Sequence, residues 1–199
     1  MRLLHVGPRF VFLAGVGDSE PEHWQRRWYR TIPDALWVDH DDWERISRDQ
    51  WMAELDAALA AVSSRAVIVA HSVGCLLTAE WLRERSGAPV AGAFLVAPPD
   101  VANPHFPPTV VGFRPIDGRP AQPLPCPTMV VASTNDRYAT IERARAVAAH
   151  WGASMVEVGE CGHINLASGI GDWCEGQALM RRFVGSLQPA CACPFGSRA

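Results

Sequence analysis

Short apolar runs alternate along this chain with stretches whose apolar residues recur every three or four positions. The first run, Phe10-Val11-Phe12-Leu13, is continuous, as a strand buried on both faces requires. A glycine-bearing loop, Ala14 to Ser19, follows it, and Pro21 suits the first position of a helix. Ala35-Leu36-Trp37-Val38 reads as a second strand. In the next helix Ser47 and Gln50 form a capping-box pattern, and Ile46 stands where it can staple onto Trp51. Trp51, Leu55, Ala58, Leu59 and Val62 then mark one core-facing stripe. Ala66 to Ala70, rich in β-branched residues, predicts a central strand. A helix from about Val73 to Arg85 follows directly, and Gly87 marks its end. Val90 to Val96 predicts another strand. The segment Ala97–Pro127 holds ten prolines and no periodicity, which predicts a long irregular loop of the kind that walls a substrate pocket. Thr128 to Ala132 and Ser154 to Val158 complete the strands. A helix at Ile141 to Trp151 has Thr140 as its cap, and a last one, capped by Asp172, runs to about Leu187. About six strands with helices between them predict an α/β fold on a mostly parallel sheet.

Length and composition narrow the class. The 199 residues fit one domain, read as 1–187, with 188–199 as a flexible tail. Apolar residues make up 48% and charged residues 20%, so a core can form without disulfides or a metal. The formal net charge of -3 and the lack of a basic stripe exclude a nucleic-acid partner. No apolar run is long enough to span a bilayer. Met1 to Phe10 is broken by Arg2, Gly7, Pro8 and Arg9, unlike a signal peptide, and the expected location is cytoplasmic. The six cysteines are therefore read as free thiols, with Cys191 and Cys193 in the tail.

Candidate chemistry begins at Ala70-His71-Ser72-Val73-Gly74, between a buried strand and a helix. A sharp turn there lifts a serine hydroxyl above the sheet edge. Such a turn needs small flanking residues because strand and helix backbones approach closely; Ala70 and Gly74 supply them, with His71 beside the serine. The Val73 N–H, at the helix start, can donate to an oxyanion, aided by the helix dipole. The second donor is assigned to the Val16 N–H, where Gly15 lets the backbone approach a substrate. A serine in this position can also be nothing more than a helix cap, so the case turns on its partners.

A serine hydroxyl needs a base, and the base needs an orienting acid. His150 falls inside a helix and His105 lies in the proline-rich loop. His163, in Gly162-His163-Ile164-Asn165 after the last strand, has the right order for the base. Asp136, after the strand ending at Ala132, is the preferred acid; Asp100, after Val96, is its competitor.

These segments, with Gly15 through His23-Trp24, Val96-Ala97-Pro98-Pro99-Asp100 and Ser133 to Tyr138, resemble the small serine-hydrolase family that includes retinoblastoma-binding protein 9 and bacterial YdeN-like proteins. The resemblance spans about residues 10 to 187. It implies an α/β-hydrolase fold without a large lid domain, a triad at Ser72, Asp136 and His163, and esterase-like activity on a small acyl substrate. Ala14 departs from the proline usual before the glycine, and the cysteine-rich tail after Leu187 has no counterpart in the family. His23-Trp24 is read as packing the first helix against the site entrance.

The expected reaction is acyl transfer through an acyl-enzyme, with no metal or organic cofactor. A thioester or amide substrate and an acyltransferase outcome stay open. The rival reading is a protein-interaction module on the same scaffold. No Leu-x-Cys-x-Glu pocket-binding motif supports a protein partner.

Overall fold

The computed structural model describes residues 7–60, 62 and 65–187. Its centre is a six-stranded, all-parallel sheet in the order β2-β1-β4-β5-β7-β8. The strands are β1 (Arg9–Leu13), β2 (Leu36–Trp37), β4 (Ala66–His71), β5 (Val90–Val96), β7 (Thr128–Ala132) and β8 (Ser154–Glu157). Among the described residues, five α-helices flank it: α1 (Trp24–Thr31), α2 (Arg48–Ala60), α3 (Val73–Glu84), α4 (Ile141–Trp151) and α5 (Cys174–Leu187). The predicted α/β class is the observed one. Among the described residues, no helix is long and apolar enough to cross a membrane.

Both sheet faces are buried, and side-chain alternation divides them into two cores. Val11 and Leu13 of β1 and Ile68 and Ala70 of β4 pack with Trp51 and Leu55 of α2, Leu77 of α3 and Trp151 of α4. Phe12, Val67 and Val69 face the other way, towards Trp24 and Trp28 of α1 and Leu179 and Phe183 of α5. That double cover is why these strands read as unbroken apolar runs.

Four details differ from the sequence reading. The first helix starts at Trp24, not near Pro21, because His23 caps it: its Nδ1 accepts the Gln25 N–H at 3.2 Å. Ser47 is in a strand, β3 (Ile46–Ser47), paired in parallel with β6 (Val110–Val111), and Gln50 donates to Glu54 instead of closing a box. The proline-rich loop is thus irregular except at β6, a strand too short to show a period. Asp172 does not cap α5. The helix begins two residues later, and the Asp172 carboxylate pairs with Arg27 of α1. Cys75, Cys126, Cys161 and Cys174 are free thiols. The predicted tail at 188–199 with Cys191 and Cys193, and the start of the Met1 to Phe10 segment, lie outside the described residues.

The strand order places the site. From β1 the chain turns to β2 on one side, whereas from β4 it turns to β5 on the other. The loops leaving β1 and β4 therefore diverge, opening a crevice at their carboxyl ends. Leu13 pairs with Ala70 at that rim, so the Gly15 loop and Ser72 emerge side by side.

Candidate active site

Ser72 occupies the turn between β4 and α3 with φ 54° and ψ -128°, a conformation costly for any residue with a Cβ. The neighbourhood enforces it. The Ser72 N–H donates to the Val96 carbonyl at 3.0 Å. A Cβ on Gly74 would stand 2.6 Å from the Ala14 carbonyl oxygen, so only glycine lets α3 pack this closely under the β1 loop. Gly15 is as constrained. A Cβ there would lie 2.7 Å from Ser72 Cβ and 3.1 Å from its Oγ.

His163 meets this serine from the loop after β8. Its Nε2 lies 3.0 Å from Ser72 Oγ, and its Nδ1 lies 2.7 Å from Asp136 Oδ2. The other Asp136 oxygen accepts the Tyr138 N–H at 2.8 Å, which fixes the carboxylate. Three side chains from three loops thus form one hydrogen-bonded series. With a neutral imidazole protonated on Nδ1, that nitrogen donates to Asp136, and the Ser72 hydroxyl donates to Nε2. Asp100 is not part of the series. Its carboxylate takes two hydrogen bonds from Arg143, at 2.9 and 3.0 Å. His105 is exposed beside Arg137, and His150 lies on α4.

The loop carrying His163 is held from below. His71 donates its Nε2–H to the His163 carbonyl at 2.9 Å, and Trp24 donates its indole N–H to the Ile164 carbonyl at 2.8 Å. Gly162 N–H donates to Asn135 Oδ1, and Cys161 N–H to Ser133 Oγ, tying the loop to the Asp136 turn. Burial, reinforced by His163 and His23, holds His71 well below the ordinary histidine pKa. Burial and His163 likewise lower His23 to about 4. Both neighbours are therefore neutral near pH 7 and place no full charge beside the His163 ring.

A cavity of about 270 Å³ opens over the serine, lined by Gly15, Val16, Asp18, Glu20, His23, His71, Ser72, Val73, Pro99, Pro107, Tyr138, His163 and Asn165, with Gly17. Pro99 and Pro107 bring the proline-rich segment to its wall. Val16 and Val73 line the cavity with Ser72, and the loop that follows β1 is anchored by the Gly17 N–H, which donates to the Trp43 carbonyl at 2.9 Å. His23 lines the cavity, while Trp24 is buried behind it.

Sequence reasoning missed Gln25. It is fully buried on α1; its Nε2 donates to the Leu13 carbonyl at 2.9 Å and the Val69 carbonyl at 3.2 Å, and its Oε1 accepts from the Ser19 hydroxyl. One amide thus clamps the ends of β1 and β4, the two strands that present Gly15 and Ser72. Nothing in the spacing marks Gln25 as inward, because Trp24 and Trp28 already account for the buried side of α1. Tyr138 was also missed; its ring lies 4.5 Å from that of His163 and walls the cavity.

None of the curated proteins matches the chain. Among solved structures, a YdeN-like hydrolase from Pectobacterium atrosepticum is 29% identical, with 92% of this chain and 94% of that chain covered and a TM-score of 0.79. The ydeN gene product of Bacillus subtilis is 16% identical over 89% of this chain and 99% of that one, with a TM-score of 0.74. An esterase from a Rhodococcus species is 18% identical over 92% of each chain, at a TM-score of 0.66. The fold is that of the α/β-hydrolases. The family model described as serine hydrolase matches residues 10–182, and the chain belongs to that family of small serine hydrolases.

Proposed function

We propose that the protein cleaves a small acyl ester with Ser72 as nucleophile, His163 as general base and Asp136 as the group that orients it. The carrying observation is the series Ser72 Oγ–His163 Nε2–His163 Nδ1–Asp136 Oδ2, at 3.0 and 2.7 Å, inside a cavity. Ser72 attacks the carbonyl carbon while its proton passes to His163. The negative charge on the carbonyl oxygen falls between the Val16 and Val73 N–H groups, and the α3 dipole favours it. His163 then protonates the departing alkoxide, leaving an acyl-serine. Water, deprotonated by His163, attacks that ester and restores the serine. Asp136 accepts the Nδ1–H hydrogen bond throughout and so orients and stabilises the imidazolium. The modest cavity with Asp18, Glu20 and Asn165 on its wall supports a short acyl group over a long fatty chain.

A fluorophosphonate probe tests the reading, because it reacts only with an activated serine. The folded protein takes up one probe per chain, and Ser72→Ala takes up none. A panel of p-nitrophenyl esters of graded chain length shows turnover highest at acetate or butyrate. Folded protein that takes up no probe overturns the proposal and leaves the protein-interaction reading. Adding alcohol or amine acceptors, with product analysis, separates hydrolysis from acyl transfer.

A further inference from the structure

A second cavity, of about 560 Å³, opens between α2, α3 and the proline-rich segment, and shares no lining residue with the Ser72 site. Arg83 follows Val73 by ten residues along α3, so it lies about 15 Å along the helix from the nucleophile. Arg48, Arg83, Arg114 and Arg119 line this cavity, with the carboxylates of Asp49, Glu80 and Glu84. Those carboxylates all converge on one guanidinium, since Arg48 hydrogen-bonds each of them.

The other three arginines are not so matched. Among the described residues, none of Arg83, Arg114 and Arg119 has a carboxylate within ion-pair distance. Arg83 donates to the Gln122 carbonyl at 3.1 Å, but its Nε is buried and has no partner. His150 of α4, whose backbone carbonyl accepts the Gln122 N–H, is 7% exposed and leaves its Nε2 buried and unpartnered as well. The local field is positive: after burial, Arg83 and Arg119 push the His150 pKa down, and Arg119 does the same to Arg83, with Glu80 opposing. Four arginines against three carboxylates leave this opening net positive in a chain of net charge -3, and among the described residues three of the guanidinium groups make no ion pair, with buried polar atoms that lack partners beside them.

We propose that this cavity binds a phosphoryl-bearing small molecule through Arg83, Arg114 and Arg119. A phosphoryl dianion offers three oxygens to three planar forks, whereas a carboxylate offers two. The volume exceeds that of one phosphate, so the ligand extends beyond a single phosphoryl group.

Isothermal titration with pyrophosphate, ADP and inorganic phosphate at low ionic strength tests this. Pyrophosphate binds one per chain, and its affinity falls as salt is added. Arg119→Gln and Arg114→Gln, both exposed positions with little to lose in folding, each weaken it about tenfold, the loss expected for one charge-assisted contact. Arg83→Gln weakens it further, and Arg182→Gln, an exposed arginine on α5, leaves it unchanged. Tighter binding of ADP extends the ligand to a nucleoside diphosphate; equal binding restricts it to the phosphoryl groups. No heat with any of the three compounds overturns the proposal. So does a loss in Arg182→Gln equal to that in Arg119→Gln, since that is bulk electrostatics.

Discussion

Gly15→Ala isolates the contact on which the Ser72 site depends. The new Cβ would stand 2.7 Å from Ser72 Cβ, 3.1 Å from its Oγ and 3.4 Å from the Val73 nitrogen. Carbon atoms rest at about 3.5–4.0 Å, so serine and loop must separate by roughly 1 Å. Gly15 does not occupy the left-handed region that favours glycine, and alanine's backbone cost there is small. The strain is therefore steric and falls on the reacting oxygen and the Val16 side of the cavity. Overpacking costs about 1–3 kcal/mol of stability. A displacement of about 1 Å at a reacting atom costs about 100-fold in rate. Steady-state hydrolysis of p-nitrophenyl acetate should show kcat down about two orders of magnitude with KM little changed. Thermal unfolding should show a fall of a few degrees. Gly185→Ala on α5, where nothing lies within 4 Å, is the control, and it should keep full activity and gain slightly in stability. A Gly15→Ala enzyme within threefold of the parent kcat would refute the argument that this loop and Ser72 form one tightly fitted unit.

Three further outcomes follow from the site. Asp136→Asn lowers kcat about 10⁴-fold by favouring the wrong imidazole tautomer, whereas Asp100→Asn, whose carboxylate serves Arg143, stays within about tenfold; equal losses in ester hydrolysis would reverse the assignment of the acid. Gln25→Leu leaves the Leu13 and Val69 carbonyls and the Ser19 hydroxyl without their partner, so urea unfolding should show a loss of about 2–4 kcal/mol; a loss below 1 kcal/mol contradicts the clamp. The third concerns pH. His23 titrates at about 4 in the folded protein and near 6.5 unfolded, so the unfolded chain binds more protons between these values. Its contribution is complete above pH 6.5 and is lost as pH falls towards 4, by about 3 kcal/mol in full, and His71 acts in the same direction. Denaturation midpoints from pH 7 to 4 should fall less steeply in His23→Asn, which keeps a capping side chain; an unchanged slope excludes His23 as the source.

Much of the architecture was legible along the chain because burial is written locally. Strands covered on both faces must be apolar throughout, and β1, β4, β5 and β7 were readable for that reason. The Ser72 turn was legible too, since a strand meeting a helix at Ala70-His71-Ser72-Val73-Gly74 needs small residues at fixed places. Elements held by distant partners were not. β3 and β6 are two residues each and exist only because Ile46–Ser47 meets Val110–Val111. His23, not Pro21, starts α1, because a side-chain acceptor was available at that turn. Asp172 turned away from α5 to reach Arg27, a contact between residues 145 positions apart.

By itself, the sequence determined the α/β class, the strand–turn–helix at Ser72 and the chain order of serine, aspartate and histidine. Local sterics and hydrophobic periodicity act over a few residues, and a linear text records them. The sequence ranked Asp136 above Asp100, and the tertiary structure decided which one meets His163, because both follow similar strands and differ in their distant partners, the imidazole and Arg143. It also decided that Gln25 points inward, that His71 and Trp24 hold the His163 loop, and that three arginines share an opening. Hydrogen bonds and charges between remote segments depend on distances in space, which sequence separation does not encode.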